Sequence, residues 1–161
     1  MKSINSNDSL DWAFWFYWIM ATTIGWMIGE MFFNGLPFVV SGAVIASLQC
    51  ALLNSRINQA WRWAILSITG WVIGYILFLL FIPSDMYLLA GPIIGAAVGI
   101  PQWSILRKEL NYAGWWIIIS IMGWTTSISV IPGLLSSGAL SGALTGFTLM
   151  ILFRFSSPKT V

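Results

Sequence analysis

Apolar and polar positions in this chain change on the scale of whole helices rather than single residues. Six mainly apolar runs, about 12–33, 36–55, 61–82, 86–106, 113–131 and 134–155, are divided by short polar or helix-breaking connections. A helix that crosses a bilayer needs about 20 mostly apolar residues. The pattern predicts an all-α integral membrane protein with six transmembrane helices. It divides into a polar N-terminus (1–11), a transmembrane domain (12–155) and a tail (156–161). "NGLP" (34–37), "PSD" (83–85) and "PG" (132–133) are tight turns made of residues that end helices. Stretches 56–60 and 107–112 are polar and basic. For a run as short as 113–131, a re-entrant or interfacial segment is the alternative.

Charge orients this arrangement. With six spans, Lys2, Arg56, Arg62, Arg107, Lys108, Arg154 and Lys159 all fall on the side shared by both termini. The positive-inside rule makes that side cytoplasmic. Arg107, Lys108 and Arg154 are expected to set topology and touch anionic lipid. Trp12, Trp15, Trp18, Trp61, Trp63, Trp103, Trp115 and Trp116 are expected near the headgroups at that side, and only Trp26, Trp71 and Trp124 deep. Charged residues make up 7% of the chain, against about 25% in soluble domains, so lipid is the expected solvent. A net charge of +2, spread along the chain, gives no reason to expect nucleic acid as a partner. The acidic, polar N-terminus does not read as a cleaved signal, so the first helix is expected to remain as an anchor. There is no histidine, and Cys50 is the one cysteine. No cofactor, metal site or catalytic constellation is expected, and the chain reads as a non-enzyme.

The chain also repeats itself. Residues 42–71 and 95–124 align without a gap, with 12 of 30 positions identical. "WIMATTIGW" (18–26), "WAILSITGW" (63–71) and "WIIISIMGW" (116–124) share one skeleton. Two helices per unit give three parallel-oriented two-helix repeats, hairpins of about 12–55, 61–106 and 113–155, and a pseudo-threefold arrangement. Residues at i, i+4 and i+7 share a helix face, which groups Trp63, Ser67 and Gly70 and their counterparts. The odd helices carry the small pairs Gly25/Gly29, Gly70/Gly74 and Gly123/Ser127. The even helices carry Gly42/Ala46, Gly91/Gly95/Gly99 and Gly138/Gly142/Gly146. Helices in lipid associate through close backbone contact at small residues, so the phrase reads as a packing code. Its tryptophans admit a second reading as stacked rings around a ligand.

Candidate ligand-binding residues are Glu30, Gln49, Gln102, Trp26, Trp71 and Trp124. Gln49 and Gln102 occupy matching repeat positions, and Leu149 stands in the third copy. Each amide is an interhelical hydrogen bond, a polar contact to a headgroup, or an axial ligand to a pigment magnesium, a reading that the absence of histidine weakens. Glu30 is the one ionisable residue inside an apolar run away from the basic side. It either reaches water or is functional. Pro92 and Pro101 predict a kink in the fourth helix.

"GAAVGIPQWSILR" (95–107), with "GAVIASLQCALLNSR" (42–56) as a looser copy, resembles small multi-pass bacterial membrane proteins common in cyanobacteria, with GW-x2-G and G-x3-G-x2-QW-x2-LR repeats. In the looser copy Cys50 stands where tryptophan is expected. The resemblance implies a prokaryotic inner or thylakoid membrane. It carries over no functional residue, because the group has no established activity. Three functions follow: an accessory, assembly or scaffold subunit beside a membrane-protein partner, a small transporter or solute-binding protein, or a pigment- or lipid-binding protein.

Overall fold

The computed structural model describes residues 10–32 and 37–155. Most of the N-terminal segment and of "NGLP", the tail, Lys2 and Lys159 lie outside the described residues. Six α-helices follow in order: α1 (Trp12–Phe32), α2 (Pro37–Leu53), α3 (Trp61–Phe81), α4 (Ala90–Glu109), α5 (Trp115–Trp124) and α6 (Ser136–Phe155). A 3₁₀ segment (Ser84–Leu89) leads into α4, and a π-helical segment (Thr125–Val130) continues α5. No strand occurs among the described residues.

Local chemistry sets several of these boundaries. Asp11 caps α1, its Oδ1 accepting the Phe14 backbone N–H at 2.9 Å. Gln59 and Tyr112 adopt positive φ (59° and 58°) just before α3 and α5, and they stand at matching positions of the aligned segments. The sequence predicts one helix over 113–131, but the regular α-helix ends at Trp124. Thr125 and Thr126 donate their hydroxyls to the carbonyls of Ile121 and Met122, at 2.7 and 2.9 Å. Such bonds compete with backbone donors, and the Ile131 N–H bonds back to Thr126 at 2.8 Å, five residues away. The fourth α-helix also starts later than the residue 86 that the apolar run gives. It begins at Ala90 and runs through Pro101 to Glu109 without a break. Pro92 lies in the first turn, where its missing N–H has no intrahelical partner to lose.

Three helical stretches are long and apolar enough to cross a membrane: Trp61–Phe81, Asp85–Glu109 and Ser136–Phe155. Phe38–Leu53 and Trp115–Val130 are apolar but shorter. α1 equals α3 in length, at 21 residues, and includes Thr22, Thr23 and Glu30.

Each helix packs on its neighbours in sequence, and α6 packs on α1, so the six form a closed ring. Arg56, Arg62, Arg107, Lys108 and Arg154 lie at the end where α2, α4 and α6 finish; Glu30 lies near the opposite end. The outer faces carry exposed large apolar side chains, among them Phe16, Ile65, Ile73, Leu80, Ile118 and Phe147. A surface of this kind suits lipid and not water.

Candidate functional site

The odd helices meet on the ring axis through their tryptophans. Nearer the basic end, Trp18, Trp63 and Trp116 form a triangle with ring centroids 5.4–6.4 Å apart. Trp26, Trp71 and Trp124 form a second triangle at 4.7–6.4 Å. Eight residues separate the two layers along each helix, about 12 Å at 1.5 Å per residue. The sequence places Trp18, Trp63 and Trp116 at the headgroup layer, yet all three are at most 1% exposed. They lie on the same face as the small and hydroxyl residues, so packing turns them inward. Trp12, Trp61 and Trp115, more than half exposed, point outward instead.

A polar layer separates the triangles. Gln49 Nε2 donates to Thr22 Oγ1 at 3.2 Å, and its Oε1 accepts the Trp63 indole N–H at 3.2 Å. Gln102 repeats this between Ser67 (2.7 Å) and Trp116 (3.0 Å). Each amide thus joins the helix before its own to the helix after it. Leu149 on α6, at the position the sequence matches to Gln102, is fully buried. There the Trp18 indole donates to Thr145 Oγ1 at 3.0 Å, and Thr145 in turn donates to the Ser141 carbonyl at 2.6 Å. Sequence reasoning missed Thr145; its signal is its place on the glycine face of α6, beside Gly142 and Gly146. Gln49, Gln102, Ser120 and Thr145, with Trp71 and Trp124, line a cavity of about 10 Å³ on the axis. That is room for one water at most.

The small residues close the ring. A methyl group on Gly25 would meet Ile45 within 2.5 Å, and one on Gly70 would lie 2.5 Å from the Ala97 carbonyl oxygen. Ala97 is four residues before Pro101, which has no N–H to donate to that oxygen, and Gly70 lets the α3 backbone approach it. Gly74 faces Ala97 and Ile94. Gly42 and Gly146 abut the Trp71 and Trp18 side chains, while Gly95 and Gly99 abut Ser120 and its neighbours. Gly138 abuts Thr22 and Thr23, and Gly142 abuts Ile19 and Thr22. Gly29 is buried in α1. Gly123 differs, because its nearest neighbour would be 3.6 Å away. Ser127 is fully buried in the π segment, and its hydroxyl has no hydrogen-bond partner among the described residues.

Glu30 is not joined to the glutamine layer. With Trp26, Tyr87, Ile128, Gly133 and Ser137 it lines a separate cavity of about 310 Å³ towards the other end of the ring. Tyr87 is a lining residue that the sequence did not single out. A groove of about 660 Å³ runs along the outside of α5 and α6, lined by Tyr112, Trp115, Ile119, Ile151 and Phe155. At the basic end Arg56 forms an ion pair with Asp11 and lies 4.4 Å from the Phe14 ring centroid. The Phe14 backbone N–H holds the Asp11 carboxyl below its usual range; burial opposes it, and the Arg56 guanidinium lowers it further. No group of three His, Cys, Asp or Glu side chains converges among the described residues.

No family model matches the chain, and neither the curated proteins nor the solved structures give a match.

Proposed function

We propose that the chain is a six-span, non-enzymatic membrane protein that serves as an accessory, assembly or scaffold subunit beside a larger membrane-protein partner. It is built of three two-helix repeats, lies in a prokaryotic inner or thylakoid membrane, and keeps both termini in the cytoplasm. The observation that carries this reading is the filled axis. Carriers and channels need a polar route or site near mid-bilayer. Here two indole triangles occupy the axis, and the amides between them are bonded to neighbouring helices. The space left has room for one water at most. What such a bundle offers is a stiff body with an apolar outer face, suited to standing against lipid and another membrane protein. The matched bonding of Gln49 and Gln102 supports the repeat, and the gathering of the described basic residues at one end supports the orientation.

Extraction of the tagged full chain in several mild detergents tests the partnership. One membrane protein should co-purify at constant ratio. A solitary, monodisperse chain under every condition would overturn the reading. Orientation is tested separately by labelling Arg62→Cys and Arg107→Cys in a Cys50→Ser background. Both should react from the same face of the membrane.

A further inference from the structure

We propose that the cavity beside Glu30 binds a small organic ammonium ion. The cavity measures about 310 Å³, at the lower end of the range for small-molecule sites. Glu30 supplies its one carboxylate, and Trp26 and Tyr87 are among its lining residues. Ser137 contributes a hydroxyl that is already engaged. It donates to the Ser127 carbonyl at 2.7 Å and accepts the Gly133 N–H at 3.1 Å.

Charge makes the case for a cation. Glu30 is only partly exposed, and no hydrogen bond or ion pair joins it to any described residue. The described basic residues, Arg56, Arg62, Arg107, Lys108 and Arg154, lie at the far end of the ring. A carboxylate held partly out of water is costly without a counter-charge, and no basic residue among the described ones lies within reach.

The wall chemistry selects the kind of cation. A calcium ion takes six to eight oxygen ligands, and magnesium demands a near-ideal octahedron. The lining offers one carboxylate, the Tyr87 hydroxyl and an engaged serine hydroxyl, a set that favours neither. Aromatic residues beside a carboxylate suit a weakly hydrated ammonium, which ring quadrupoles attract as well as charge. Such a ligand would be held whether or not a protein partner is present.

The test uses the full chain in lipid nanodiscs, with tetramethylammonium and choline as probes and tryptophan fluorescence and calorimetry as readouts. Saturable binding of at least one probe is expected, with sodium at equal concentration competing weakly. Glu30→Gln should weaken it about ten-fold or more. Tyr87→Leu, at a half-exposed position outside the tryptophan layers, should weaken it about two- to five-fold. Thermal unfolding of each variant verifies that the bundle is intact. The proposal is overturned if neither probe saturates the wild-type chain, if folded Glu30→Gln binds as the wild type does, or if sodium displaces the probes one for one.

Discussion

Gln102 holds its carboxamide between α3 and α5, donating to Ser67 and accepting from Trp116. Gln102→Leu removes both bonds and leaves two buried polar groups unpaired, each at a cost of about 1–3 kcal/mol. Unfolding of the purified chain in detergent should show that loss. The third copy supplies its own remedy, a threonine that takes the indole proton where leucine has replaced glutamine. Val98 stands where Thr145 does in that copy. Adding Val98→Thr to Gln102→Leu should therefore restore part of the stability; no recovery would mean that the two arrangements are not interchangeable. Glycines can be ranked in the same assay. Gly70→Ala forces a methyl group against the Ala97 carbonyl and should cost about 1–3 kcal/mol, whereas Gly123→Ala has room and should be close to neutral. Asp11 gives a pH dependence. Its folded pKa lies below 3.8, so its contribution is full above that value and fades as pH falls through the folded pKa. The stability gap between the wild type and Asp11→Ala should narrow in acid, and since Asp11 is exposed the gap should be small and salt-sensitive.

Helices α3 and α6 are found close to where apolar run length puts them, because long apolar stretches with charged or breaker flanks leave little choice of boundary. The change of α5 into a π segment was not legible in the same way. "TTSISV" is as compatible with an ordinary helix as with a widened one, and hydroxyl competition for carbonyls decides only once neighbours fix the side chains. Because its hydrogen bonds are of the poorer, wider kind, backbone amides over 125–131 should exchange with deuterium faster than those in the middle of α3. Equal protection would show that this turn is as stable as regular helix. The inward tryptophans were half legible. Depth along the helix suggested headgroups for Trp18, Trp63 and Trp116, while the helical face they share with Thr22, Ser67 and Ser120 pointed to the axis. Face is the better guide, because it determines what a side chain can touch. The Glu30 cavity was the least legible, since it joins α1 to the 84–89 segment and to α6, which are far apart in sequence.

Seen as one object, the molecule is a closed ring in which alternate seams, α2–α3, α4–α5 and α6–α1, each carry an indole bonded across them. The seam between α6 and α1 joins the two ends of the described chain and is reinforced by Trp15 Nε1, which donates to the Ala143 carbonyl at 2.9 Å. Trp15→Phe, which removes that bond and keeps an aromatic body, should lower stability by about 1 kcal/mol, measured by the same detergent unfolding. The crowded indoles have an optical consequence as well. Chromophores at such separations share their excitation, so each triangle should give a split circular-dichroism band and quenched emission. Both signals should vanish together when the ring comes apart, which makes the bundle its own label-free reporter of assembly.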